Sequence, residues 1–288
     1  MAGTTIRSRW VVANGVRTHY AETGDSGPTI LAIHGGGHGS SGQAGMGLLM
    51  QELGRDFQVF APDSIGGYGL TDVNVATPRG LLDRASHALA FADALGLDKF
   101  TILGNSQGAF AAVRLALDHP DRVEKIVMIA SLTIAQSMGV DQAPTPAMKA
   151  LMGYDGTPEA MRAMLEGLVK EKSRITDELI QRRQQSATRP GAMEAMDRFI
   201  KATAGLKKNP ILAMQMDLTQ TLPKLTKHIP SIFVWGKEDP FSLADTGRKI
   251  EPLLPDVKFH WIADAGHQVQ TDQPAKVAAI IGEFIRNG

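Results

Sequence analysis

Six short runs of β-branched and apolar residues are the strongest constraint on the fold of this 288-residue chain: TILAIHG at 29–35, VFAPD at 59–63, FTILGNS at 100–106, VEKIVMIAS at 123–131, SIFVWG at 231–236 and KFHWIA at 258–263. Runs this short and this continuously apolar read as strands buried on both faces. Helix-like segments lie between them at Pro78–Leu95, Gln107–Asp118, Leu243–Leu253 and Pro274–Arg286. Such βα alternation predicts a mostly parallel sheet covered by helices on both sides. Thr5–Val12 and Val16–Ala21, separated by Asn14-Gly15, predict an antiparallel hairpin at one edge, which brings the sheet to eight strands.

The alternation stops between Gln136 and Met216, a Met-rich and charged stretch with helical periodicity. It predicts an inserted helical cap over 136–216, carried by a core made of 1–135 and 217–288. Pro144, Pro146, Pro158, Pro190 and Pro210 divide the insertion into four or five helices, because proline suits a helix start and disrupts an interior.

Composition narrows the chemistry. Thirty basic residues balance thirty acidic ones, so no net field draws the chain to nucleic acid or to an anionic membrane. The expected partner is a small molecule of low charge, and a homo-oligomer is compatible with that. There is no cysteine, which excludes disulfides, thiolate catalysis and Cys-based zinc sites. MAGTTIRSRW lacks an apolar leader core, and the charge-free stretch from Ser26 to Gln51 is too rich in Gly, Ser and His to span a bilayer, so a cytoplasmic protein is expected.

Gly104-Asn105-Ser106-Gln107-Gly108 follows the strand-like FTIL and precedes the helix-like AFAAVRLAL. A serine on such a strand-to-helix turn is pushed out of the sheet top, with a helix N-terminus behind it to receive a developing anion. His34-Gly35-Gly36-Gly37 follows TILAI and has the form of an oxyanion loop, which makes the backbone N–H groups of Gly36 and Gln107 the expected donors. A serine hydroxyl needs a base and a carboxylate to orient it. His267, in the loop DAGH after the last strand, is the expected base; Asp239 in KEDPF is the expected acid, preferred over its neighbour Glu238. His34 and His38 lie four apart, but in a glycine loop rather than on a helix, so no metal or cofactor is expected, and His34 is read as a support of the oxyanion loop.

HGGG, GNSQG, GKEDPF and AGHQ together resemble the meta-cleavage-product hydrolases, enzymes of the α/β-hydrolase fold that cut carbon–carbon bonds in aromatic degradation. The resemblance covers most of the chain and implies the triad Ser106, Asp239 and His267 acting on a 2-hydroxy-6-oxo-dienoate. It also implies substrate contacts from Gly35, Asn105 and an arginine of ITDELIQRRQQ, where Arg183 is the best match and Arg182 its rival. Phe241 and the methionines Met148, Met152 and Met164 are expected to line an apolar part of the pocket. Gln107 and Gln268 replace residues that are often apolar or aromatic in the family, so the pocket is expected to be more polar. Haloalkane dehalogenases and epoxide hydrolases share the architecture but carry aspartate where Ser106 stands. A carboxylesterase or lactonase with the same triad remains the enzymatic alternative, and a ligand-binding protein with a silent triad the non-enzymatic one.

Overall fold

The computed structural model describes residues 4–287. Eight strands form one sheet: β1 (Arg7–Ala13), β2 (Val16–Thr23), β3 (Thr29–Ile33), β4 (Gln58–Pro62), β5 (Phe100–Asn105), β6 (Val123–Ile129), β7 (Ser231–Gly236) and β8 (Val257–Ile262). Their spatial order is 1-2-4-3-5-6-7-8. β2 runs antiparallel to β1 and β4, and every pairing from β4 through β8 is parallel. Asn14 and Gly15, with φ of 46° and 80°, supply the two positive-φ positions that a two-residue hairpin turn needs.

Four helices accompany the first six strands: α1 (Gly42–Leu53), α2 (Leu81–Ala94), α3 (Gln107–Asp118) and α4 (Leu132–Ser137). Five more fill residues 146–216: α5 (Pro146–Met152), α6 (Pro158–Glu166), α7 (Asp177–Thr188), α8 (Ala192–Gly205) and α9 (Pro210–Met216). Pro146, Pro158 and Pro210 open α5, α6 and α9, each after a Thr or Asn whose side chain caps the first turn. The chain then returns to the sheet through α10 (Thr221–Leu225), α11 (Ala244–Ile250), α12 (Val269–Asp272) and α13 (Pro274–Asn287).

The strand runs are continuously apolar because alternate residues serve two cores. Leu31, Ile33, Ile102, Ile126, Met128, Phe233 and Trp235 face α2 and α3, where they meet Phe91, Phe110 and Val113. Ile30, Ala32, Leu103, Val127, Ile129, Ile232 and Val234 face α1 and α13, against Met46, Leu49, Val277 and Ile281. A smaller cluster around Met161, Met164, Leu165 and Ile180 holds α6 and α7 together.

Helix α1 was not among the expected elements. Its glycines read as loop formers, yet Gly42 is there for contact: a Cβ would lie 2.0 Å from the Ala61 carbonyl oxygen. Ser41 caps the helix by accepting from the Ala44 N–H at 3.0 Å. Among the described residues no helix is long and apolar enough to cross a membrane.

Candidate active site

β5 runs into α3 through Ser106, whose φ of 56° and ψ of −122° are strained for a residue with a side chain. Such backbone costs about 1–3 kcal/mol and persists only where its surroundings enforce it. Here they do. The Ser106 N–H donates to the Ile129 carbonyl at 2.9 Å, and Ser131 Oγ donates to the Ser106 carbonyl at 2.8 Å. The flanking glycines are steric requirements: a Cβ on Gly104 would lie 2.2 Å from the Gly108 oxygen, and one on Gly108 would lie 2.2 Å from the Ile33 oxygen.

Ser106 and His267 line a cavity of about 270 Å³ with Gly35, Gly36, Asn105, Gln107, Phe241 and Gln268. His267 Nδ1 lies 2.9 Å from Asp239 Oδ2, and both side chains are almost fully enclosed. A carboxylate only accepts, so Nδ1 carries the proton and Nε2 keeps its lone pair for the cavity. Asp239 Oδ1 accepts the N–H groups of Phe241 and Ser242, each at 2.8 Å, which fixes the carboxylate's plane. Glu238 is exposed, and one of its oxygens accepts from the Ala265 N–H. Ser106 Oγ is not in hydrogen-bonding geometry with the His267 ring; such contacts are often loose without substrate and tighten when it binds.

The loop bearing His267 is tied on three sides. Asn105 Nδ2 donates to the His267 carbonyl at 3.2 Å, the Gln268 N–H to the Leu168 carbonyl at 2.8 Å, and the Gly266 N–H to Asp272 at 2.7 Å. Asp272 also accepts from the N–H groups of Lys170 and Glu171, so one buried carboxylate links the histidine loop to the chain between α6 and α7. The Phe241 ring packs on His267 with centroids 4.7 Å apart.

Gly36 faces Gln107 across the cavity floor, and neither backbone N–H is engaged with a protein acceptor. His34 holds this loop from beneath. Its Nε2 accepts the Ser64 N–H at 3.0 Å, so its Nδ1 is the protonated nitrogen and donates to the Gly35 carbonyl at 2.7 Å. Burial, helped by the nearby Arg84 cation, holds its pKa well below the ordinary histidine value. His38 packs instead on Tyr154, with ring centroids 4.6 Å apart. Among the described residues no group of three or more His, Cys, Asp or Glu could hold a metal ion.

Several expected contacts sit differently from the sequence reading. Arg183 is buried and Arg182 is exposed in an ion pair with Glu178, but Arg183 does not line the cavity. Its guanidinium is held behind Gly37, donating to Ser40 Oγ at 2.8 Å and the His38 carbonyl at 3.0 Å, because these oxygens are the acceptors in reach. Burial lowers its pKa to about 10, and its Nε and Nη1 have no acceptor. Met148 and Met152 line the cavity, whereas Met164 is spent in the core of α6 and α7. Asn105 lines the cavity but uses its Nδ2 on the carbonyls of Ile129 and His267.

Arg84 was missed by sequence reasoning. It is 1% exposed on α2, donating through Nη2 to the His34 carbonyl at 2.6 Å and through Nη1 to Gln107 Oε1 at 3.4 Å. One signal existed: it stands on the stripe Leu81, Ala85, Ala88, Phe91, where a charge is out of place.

Residues 28–274 match the α/β hydrolase fold family, and the chain belongs to it. Its relatives narrow the comparison. It is 28% identical over 278 residues to the 2-hydroxymuconate semialdehyde hydrolase of a Pseudomonas species, covering 96% of this chain and 93% of the relative. It is 29% identical over 275 residues to a 2-hydroxy-6-oxononadienedioate/2-hydroxy-6-oxononatrienedioate hydrolase of Burkholderia vietnamiensis, covering 94% and 91%. Among solved structures, a meta-cleavage product hydrolase from Pseudomonas fluorescens superposes with a TM-score of 0.77 at 26% identity, covering 96% of this chain and 97% of the other.

Proposed function

We propose that this protein is a serine hydrolase cleaving a carbon–carbon bond in a 2-hydroxy-6-oxo-dienoate, with Ser106 as nucleophile, His267 as base and Asp239 as the carboxylate that sets its tautomer. The observation that carries the reading is the buried His267 Nδ1–Asp239 Oδ2 contact of 2.9 Å behind a cavity that His267 shares with Ser106. Likeness to a solved meta-cleavage product hydrolase and to a 2-hydroxy-6-oxononadienedioate/2-hydroxy-6-oxononatrienedioate hydrolase supports the substrate class.

After the substrate ketonises, Ser106 Oγ attacks the remote carbonyl and gives its proton to His267 Nε2. The oxyanion is received by the N–H groups of Gly36 and Gln107, donors worth a factor of about 100–1000 each in turnover. The carbon–carbon bond breaks as the carbonyl re-forms, and the leaving carbon takes the electron pair and the proton from His267. Water, deprotonated by the same nitrogen, attacks the acyl-enzyme and releases the acid and Ser106. Asp239 stabilises the imidazolium in both halves.

Residues 136–216 act in this reading as a cap over the core formed by 1–135 and 217–288. Phe241, Met148 and Met152 supply apolar contact; Gly35, Asn105 and Gln268 supply polar contact. Arg183 is assigned to the substrate carboxylate as a planar donor with no acidic partner; its unpaired Nε and Nη1 are enclosed, so the contact requires α7 or the Gly37 loop to shift when substrate binds. The position of Arg183 outside the cavity lining favours a second reading, a carboxylesterase or lactonase that needs no such anion site.

Stopped-flow absorbance with a panel of 2-hydroxy-6-oxo-dienoates and matched p-nitrophenyl esters, on the intact protein and Ser106→Ala, separates the two. Dienoate loss outpacing ester cleavage and vanishing in Ser106→Ala is the expected result. Ester turnover with inert dienoates would leave the second reading, and full activity in Ser106→Ala would overturn the triad.

A further inference from the structure

The side chain of Gln107 is clamped at one end only. Its Oε1 accepts from Tyr68 Oη at 3.2 Å and from Arg84 Nη1 at 3.4 Å. A guanidinium only donates, so the amide oxygen must face Arg84 and Nε2 must point the other way. Gly36 closes the remaining side, since a Cβ there would fall 2.7 Å from Oε1. The orientation of the amide is thus set by neighbours that are themselves buried: Arg84 and Tyr68 are each 1% exposed and pack with the guanidinium 4.8 Å from the ring centroid.

Nε2 has no protein acceptor and is not sealed from solvent. Gln107 lines both the cavity beside Ser106 and a second chamber of about 250 Å³, which shares Gly37, Leu151 and Met152 with the first. The donor therefore stands on the wall between them. The second chamber is otherwise largely apolar, with Met196, Phe199 and Ile200 in its lining. Arg84 strengthens the donor: its hydrogen-bond partners are a carbonyl and an amide oxygen rather than a carboxylate, and a cation on Oε1 polarises the amide toward Nε2. An oriented, polarised donor beside apolar surface is costly to cover with hydrocarbon and favourable to cover with an oxygen.

We infer that Gln107 Nε2 is a specificity-determining donor, selecting ligands that carry a second oxygen acceptor, a carbonyl or carboxylate, besides the carbonyl that Ser106 attacks. Tyr68 and Arg84 are its positioning residues. The inference rests on the hydrolase reading for the place of the attacked carbonyl, but the recognition it describes does not require turnover.

It is therefore tested by binding. Straight-chain monocarboxylates and dicarboxylates of matched length, from three to six carbons, are titrated calorimetrically into the intact protein, Gln107→Leu and Tyr68→Phe. One carboxylate occupies the oxyanion position, and the second is the probe for Nε2. At one chain length the dicarboxylate is expected to bind about 10- to 100-fold tighter than its monocarboxylate partner. That ratio should fall to within about twofold in Gln107→Leu and at least about threefold in Tyr68→Phe, which removes one clamp and keeps the ring.

No preference at any length in the intact protein, or a preference that survives Gln107→Leu, overturns the inference. Should Gln107→Leu fail to fold, an unchanged ratio in Tyr68→Phe overturns it. A preference lost in the variants while every dienoate stays inert would uphold this inference and sink the carbon–carbon reading.

Discussion

Replacing Asp239 by asparagine isolates one feature of the site, the tautomer of His267. Asp239 Oδ1 accepts two backbone N–H groups at 2.8 Å, and Oδ2 faces His267 Nδ1 at 2.9 Å. An asparagine has no freedom to flip here, because turning its NH₂ toward Phe241 and Ser242 would set donors against donors. Its oxygen must take the Oδ1 position, and its NH₂ must then meet Nδ1. The imidazole responds by accepting at Nδ1 and carrying its proton on Nε2, where it can no longer act as a base toward Ser106.

The same change in serine proteases lowers turnover by about 10⁴, equivalent to about 5.5 kcal/mol of transition-state stabilisation. Stability should barely respond, since both backbone bonds survive; a change within about 1 kcal/mol moves the melting temperature of a 288-residue chain by no more than about 2 °C. Asp239→Ala makes the contrast, stripping the acceptor from two N–H groups at an expected cost of about 1–3 kcal/mol each. Single-turnover kinetics with the faster substrate series, alongside thermal melting, reads both quantities. An asparagine variant retaining turnover within tenfold of the intact protein would refute the role given to Asp239.

Gly108→Ala places a methyl 2.2 Å from the Ile33 oxygen and 2.5 Å from the His34 oxygen, so it should cost about 2 kcal/mol or more in urea unfolding and shift the loop that carries Gly36. Asp272→Ala removes the acceptor of the Gly266, Lys170 and Glu171 N–H groups, and limited proteolysis should then cut the chain near residue 170 faster than in the intact protein. His87, buried against Thr18, has its pKa lowered to about 4, first by burial and then by Arg84. The unfolded chain, with a histidine pKa near 6.5, binds the extra proton between those values. Stability present above pH 6.5 is thus lost as pH falls toward 4, by up to about 3 kcal/mol; His87→Gln should flatten that slope in urea unfolding at several pH values, and parallel curves would count against it. Arg182→Ala should leave KM for a dienoate within about twofold, because its ion pair with Glu178 is exposed and the median worth of such pairs is small.

What could be read from the sequence is what depends on neighbours in the chain. Strand and helix positions follow from periodicity, and Ser106 announces itself because strand, glycine, serine, glycine and helix are consecutive. His267 and Asp239 stand at strand ends, so chain order suffices to nominate them. Helix α1 escaped because Gly42 and Gly45 look like loop residues unless Ala61 and His34, the groups they approach, are known.

Arg84 escaped for a related reason, and it carries the larger lesson about this site. Its partners come from the loop after β3, the loop after β4 and the start of α3, segments that meet only when the parallel sheet is assembled. A cation on the apolar stripe of α2 is unfavourable in isolation and becomes tolerable through two oxygens and a ring, which leaves Nε unpaired. A helix optimised for stability alone would carry an apolar residue there. The cation instead braces the loop bearing Gly36 and orients the side chain of Gln107, two features on which chemistry at Ser106 would depend. Arg84→Met tests this division of labour: it should raise or preserve the unfolding free energy while lowering kcat/KM by tenfold or more, with partial recovery in Arg84→Lys. A variant that lost stability and kept its activity would make Arg84 a packing residue.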